Sequence, residues 1–187
     1  PEFEEMAALP QVIGIGEIGI DYYYTHSPRE CQLKTFSFFV DLASRLDKPA
    51  CIHVRDQNDQ TVARDDVVSL IRPHAGKIRG VIHCFTASYD EAKIYLDLGL
   101  HLSFTGILAF KNADPLREVF SRLPPDRLLL ETDAPYLTPP PRRGARNEPA
   151  FLKSVFSLAA SLLKLDESSW SDRLRQNQVD LFGSGCR

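Results

Sequence analysis

Gly14-Ile15-Gly16-Glu17-Ile18-Gly19-Ile20-Asp21 reads as a buried strand with an acid in it. Three further segments are apolar runs that likewise end in a metal-type side chain: Ala50-Cys51-Ile52-His53-Val54-Arg55-Asp56, Val81-Ile82-His83-Cys84-Phe85 and Leu128-Leu129-Leu130-Glu131-Thr132-Asp133-Ala134-Pro135. A single polar residue in a core strand carries little information. Glu17, His53, His83 and Asp133, at equivalent places on four strands, point to four ligands converging on one spot.

Between the strands the pattern changes to that of helices. In Ser27-Pro28-Arg29-Glu30, Ser27 is a good N-cap, Pro28 suits the first helical position and Glu30 completes a capping box. Leu33, Phe36, Val40, Ala43 and Leu46 then recur at helical spacing. A weaker helix covers residues 61–72, ended by Pro73. Ser88-Tyr89-Asp90-Glu91 is a second capping box, and Gly99 is its left-handed stop. A strand over 101–105, a short helix from Asp114-Pro115 and two helices over 149–165 and 168–182 complete the chain.

Alternating strands and helices imply parallel strands joined by right-handed crossovers. An open doubly wound sheet and a (β/α) barrel compete. Gly14, Gly16 and Gly19 have dinucleotide-fingerprint spacing, but they lie within a strand that a loop follows. A barrel gathers functional residues at the C-terminal ends of its strands, where Glu17, His53, His83 and Asp133 fall. Five strands are visible and a barrel needs eight. The expected fold is therefore α/β, a TIM-like barrel that is incomplete here, with about five of the eight βα units. It is read as one domain over residues 1–187.

Alternation predicts which side chains share a face. Ile15, Glu17 and Gly19 are expected together, as are Cys51, His53 and Arg55. The same holds for Val81, His83 and Phe85, for Ser103 and Thr105, and for Leu129, Glu131 and Asp133.

A net charge of −3 gives no bulk attraction to nucleic acid, so such binding needs a local patch or a metal. Cys31, Cys51, Cys84 and Cys186 lack C-x-x-C spacing and read as reduced thiols, with Cys84 in the core. No membrane span or signal peptide is visible. A Glu, two His and an Asp supply mixed nitrogen and oxygen ligands, suited to Zn²⁺, Mn²⁺, Fe²⁺ or Ni²⁺. Arg55 is either a phosphate clamp or the ion-pair partner of Glu131. Glu131 reads as an orienting group for a ligand. Tyr22, Tyr23 and Tyr24 can stack on bases, although packing is the commoner use. Arg142, Arg143 and Arg146 form a basic cluster that is either a phosphate contact or a solvated loop. His26, His74 and His101 carry no pattern and are read as non-functional.

At these residues the chain resembles the TatD family of metal-dependent deoxyribonucleases. The matching motifs are GEIGIDYY (16–23), IHVRD (52–56), GVIHCFTAS (80–88), LSFTGI (102–107), FKNA (110–113), LLLETDAPYL (128–137), RRGARNEPA (142–150) and N-x-x-x-LFG (177–183). The resemblance implies hydrolysis of DNA phosphodiester bonds, often 3′-to-5′ on single strands. It also implies two divalent ions, commonly Mg²⁺, with Zn²⁺ or Mn²⁺ as alternatives. Glu17 would bridge the ions, His53 and His83 would hold one, and Asp133 would bind the other and act as general base. From the residues themselves, Arg55, Tyr22, Arg143 and Arg146 are the candidate substrate contacts. The expected partner is single-stranded DNA, with no membrane. A monomer is expected, in the cytoplasm or, in a eukaryotic cell, the nucleus.

One departure stands out. The family's first strand carries H-x-H, and this sequence contains none. The expectation is a chain lacking its first three βα units, holding one ion and of doubtful activity alone. The rival readings are a related hydrolase of a small amide, ester or lactone, and a non-catalytic module. A basic, aromatic-lined site mouth would favour DNA; a closed apolar pocket would favour a small molecule.

Overall fold

The computed structural model describes residues 2–24, 26–57 and 60–183; Cys186 lies outside them. A short helix, α1 (Glu2–Ala8), precedes β1 (Ile15–Asp21). Then follow α2 (Arg29–Arg45), β2 (Ala50–Arg55), α3 (Val62–Ile71), β3 (Gly80–Ile82), α4 (Tyr89–Asp97), β4 (His101–Phe104), α5 (Asp114–Arg122), β5 (Leu128–Leu130), α6 (Leu152–Leu162) and α7 (Glu167–Phe182). Among the described residues the sheet has five strands in the order β1-β2-β3-β4-β5. All neighbouring pairs are parallel. A doubly wound sheet reverses its strand order at a switch point. Strictly consecutive order is instead one arc of a TIM-like barrel. No helix among the described residues is long and apolar enough to cross a membrane.

The two faces of the arc differ. Ile18, Ile20, Ile52, Leu102, Phe104 and Leu128 are buried in the main core, with Phe36 and Val40 of α2, Val67 and Ile71 of α3, Phe120 of α5 and Ala159 of α6. Cys51, Val81 and Leu129 form a second, smaller cluster with Leu181 and Phe182 at the end of α7. Asn177 secures that helix: it is fully buried, and its amide donates to the carbonyls of Pro125 (2.8 Å) and Leu128 (2.7 Å). The terminal N-x-x-x-LFG motif therefore pins α7 to β5 and delivers two apolar residues to the inner face.

Three sequence expectations need correction. The α2 N-cap is Pro28, without a side-chain cap, so Ser27 and Glu30 form no capping box. The Ser88–Glu91 box is present. In β1 the register shifts between Ile15 and Ile18, which pair with Ala50 and Ile52. Three residue steps on β1 oppose two on β2, so one residue bulges. Ile15 consequently joins Ile18 and Ile20 in the main core and does not share a face with Glu17. Phe85 also leaves the inner face. β3 ends at Ile82, Cys84 adopts φ +48°, and the Phe85 ring packs edge-on against Tyr95 and Phe104 in the main core. Helix α1 has no counterpart in the sequence reading. It buries only Ala7, and the ion pair of Glu4 with Arg45 tethers it.

Candidate metal centre

The centre begins with close approach of two backbones. A Cβ at Gly16 would lie 2.6 Å from Cβ of Cys51, and one at Gly19 would lie 2.0 Å from the carbonyl oxygen of His53. Only glycine allows β1 and β2 to meet as they do, with Gly19 opposite His53 and Asp21 opposite Arg55. The GEIGID spacing is thus explained by strand packing.

Glu17, His53 and His83 then converge. One ligand atom from each lies within 4.8 Å of the other two. Glu17 Oε1 is 2.9 Å from His53 Nδ1 and 3.8 Å from His83 Nε2. Asp133 Oδ1 is 3.6 Å from the same His83 nitrogen. Asp133 has φ +56°, a left-handed conformation uncommon for a non-glycine residue and frequent at functional strand ends. All four predicted ligand residues are brought together.

Each histidine is held from behind by a carboxylate. Glu131 Oε2 is 2.9 Å from His83 Nδ1, and its Oε1 accepts the Cys84 N–H at 2.6 Å. Asp21 Oδ2 is 3.1 Å from His53 Nε2. A carboxylate only accepts, so each of these ring nitrogens carries a proton; His53 Nδ1, bonded to Glu17, carries one as well until an ion displaces it. His53 Nδ1 and His83 Nε2 therefore face the cluster centre. Such backing fixes tautomer and orientation in metal-ligating histidines. The role of Asp21 was not read from the sequence, although the spacing Glu17-x-Gly19-x-Asp21 places it on the Glu17 face.

Charge describes the same centre. The hydrogen bond from His53 holds the Glu17 carboxyl below its ordinary value, against the opposing effect of burial. The hydrogen bond to Glu17 raises the His53 pKa, and that to Glu131 raises His83. Burial raises the Asp133 pKa. Four carboxylates surround two imidazoles, so the cluster needs added positive charge. Protons can supply it; a divalent cation on these nitrogen and oxygen donors fits equally. The thiols take no part, since burial pushes both Cys51 and Cys84 up to about 12.

The remaining predicted residues separate. Glu131 is engaged by His83 and Cys84, while the Arg55 guanidinium carbon lies over the rings of Tyr23 (4.5 Å) and Tyr24 (4.7 Å). Tyr22 does not join them. Its hydroxyl donates to Asp66 at 2.6 Å, and its ring packs against the main core. Arg143 lies 3.8 Å over the Phe110 ring and donates to the Thr138 carbonyl at 3.3 Å. Arg146 is exposed. Asn147, also unassigned from sequence, is buried and donates to the carbonyls of Thr132 (2.8 Å) and Tyr136 (2.6 Å). It ties the arginine loop to the segment that carries Asp133.

A parallel arc with carboxylates and histidines gathered at its C-terminal mouth is the layout of the TIM-like metal-dependent hydrolases. Residues 1–183 match the model of the TatD related DNase family, and the chain belongs to that family. It is 37% identical over 180 residues to YabD of Bacillus subtilis, covering 96% of this chain and 68% of that protein. It is 40% identical over 162 residues to YcfH of Escherichia coli K12, covering 86% of this chain and 59% of that protein. Both are named uncharacterized metal-dependent hydrolases. It is 39% identical over 185 residues to the 3′-5′ ssDNA/RNA exonuclease TatD of Klebsiella pneumoniae, covering 95% of this chain and 68% of that protein. The crystal structure of YjjV, a TatD homolog of Escherichia coli K12, superposes with a TM-score of 0.85 at 28% identity, covering 97% of this chain and 69% of that one. The chain thus spans about three-fifths to two-thirds of the length of these proteins.

Proposed function

We propose that this chain carries part of the active centre of a metal-dependent nuclease that shortens single-stranded DNA from its 3′ end. The observation that carries the reading is the open cluster of Glu17, His53 and His83 with Asp133 beside it. Glu17, His53 and His83 would hold a divalent ion, and Asp133 would border it on the His83 side. Such an ion supplies Lewis-acid charge for phosphoryl oxygens and acidifies the attacking water.

The chain's own residues do the rest. Asp133 takes the proton of the attacking water at a carboxylate oxygen. Arg55, at the mouth, offers a planar guanidinium to the phosphate. Asp21 and Glu131 keep the two imidazoles aimed inward. The rings beside Arg55 favour a polymer over a small amide, ester or lactone. The name of the Klebsiella relative supports the same substrate class.

The test uses a 5′-labelled single-stranded oligonucleotide with Mg²⁺, Mn²⁺ or Zn²⁺, and with chelator. The expected result is an ion-dependent ladder of 3′-shortened products. Turnover of small esters or lactones without any ladder would favour the rival hydrolase. Metal binding without either activity would favour the non-catalytic module.

A further inference from the structure

We propose that Tyr23 and Tyr24, held in place by Arg55 and Asp21, form a stacking platform for a nucleobase at the mouth of the metal centre. The proposal rests on the nucleic-acid reading above and adds a residue-level contact to it. Tyr23 is 46% exposed and Tyr24 51%. Free tyrosine rings on a loop usually lie against the core. These two stand edge-to-face with centroids 4.9 Å apart, and Arg55 covers both. His26 stacks on Tyr24, with centroids 5.7 Å apart and the rings within 5° of parallel.

The platform is fixed to the chemistry. The backbone N–H groups of Tyr23 and Tyr24 both donate to Asp21 Oδ1 at 2.9 Å, while Asp21 Oδ2 lies against His53. One carboxylate thus connects the aromatic loop to a candidate ligand. Arg55 follows His53 by two residues on β2, and its cation covers both rings. A π-face beside a guanidinium is complementary to a base and its adjoining phosphate. A small apolar substrate would use neither the charge nor rings held outside the centre.

The test is a double-mutant cycle in binding. A fluorescent phosphorothioate thymidine oligomer, resistant to hydrolysis, is compared with an abasic deoxyribose-phosphate oligomer of equal length and charge. The unsubstituted chain should bind the thymidine oligomer about tenfold or more tighter than the abasic one. Tyr23→Ala with Tyr24→Ala should erase most of that preference, and Tyr→Phe at both sites should retain it. Arg55→Ala should weaken both ligands. A preference that survives the alanine pair overturns the platform. Equal binding of the two oligomers by the unsubstituted chain also overturns it while leaving the nuclease reading intact. If neither oligomer binds, the nucleic-acid reading falls and the platform with it.

Discussion

Asp21 Oδ2 lies 3.1 Å from His53 Nε2, on the side of the ring away from Glu17. Glu131 stands in the same relation to His83, 2.9 Å from Nδ1. The two histidines thus turn different nitrogens to the centre, Nδ1 of His53, bonded to Glu17, and Nε2 of His83.

Asp21→Asn should therefore weaken binding of a divalent ion by about 10–100-fold. Titration calorimetry with Mn²⁺ or Zn²⁺ reads the effect directly. The far-ultraviolet circular dichroism should not change, because Asp21 is half-buried at a strand end. Unaltered affinity would mean that His53 needs no backing to bind.

Asp133→Asn should separate binding from chemistry. The amide cannot accept the proton of the attacking water, so 3′ shortening should fall by about a hundredfold or more. Bound metal should change far less, because Glu17, His53 and His83 remain. Product ladders and metal content of the same preparation give both numbers. Retained hydrolysis would remove Asp133 from the base role.

The parts of this arrangement that were legible in the sequence are those set by period and by strand ends. Alternation in β2 is regular, so His53 was readable as inward-facing. It fails in β1, where a bulge displaces Ile15, and after β3, where the φ of Cys84 turns Phe85 into the main core. Neither event leaves a periodic trace. The partners of Asp21 and of the tyrosine rings, His53 and Arg55, come from the next strand, and Asn147 bonds carbonyls on the far side of its own loop; residue spacing does not name these partners. Three consecutive tyrosines gave no indication that Tyr22 turns inward to Asp66 while Tyr23 and Tyr24 turn outward to Arg55.

Gly19→Ala should be among the most damaging single-atom-group additions to the chain. The new Cβ would sit 2.0 Å from the His53 carbonyl oxygen, and the obstructing atoms are backbone. No rotamer change relieves that overlap. A loss of about 2–4 kcal/mol in urea unfolding is expected, together with loss of ion binding. Gly76→Ala is the contrast. Its φ is +76° but nothing lies within 4 Å, so only the left-handed conformation is penalised, by about 1 kcal/mol. Equal effects at both sites would refute the packing argument.

The arginine loop should divide by neighbour. Arg143 is engaged with Phe110 and Thr138, whereas Arg146 is exposed. Arg146→Ala should lower the slope of log binding constant against log salt by about one for single-stranded DNA, and leave the melting temperature alone. Arg143→Ala should lower the melting temperature as well. An unchanged salt slope in both variants would make the loop a solvated turn.

His101 should govern part of the acid stability. It is buried on the inner face opposite Val81, and among the described residues neither ring nitrogen has a partner. Burial, with the charge of Arg127, pushes its pKa below the ordinary 6.5, while Asp180 and Asp126 oppose that weakly. The folded protein therefore binds fewer protons here than the unfolded chain between those two values. Stability is lost as pH falls through about 6.5 and the loss levels off below the folded pKa. At neutral pH the proton is absent from both states, and only the unpaired nitrogens cost about 1–3 kcal/mol. His101→Leu should stabilise the protein at pH 7.5, and its advantage in urea midpoint should widen at pH 5.5. A constant or shrinking advantage would show that the imidazole finds a proton acceptor in the folded chain.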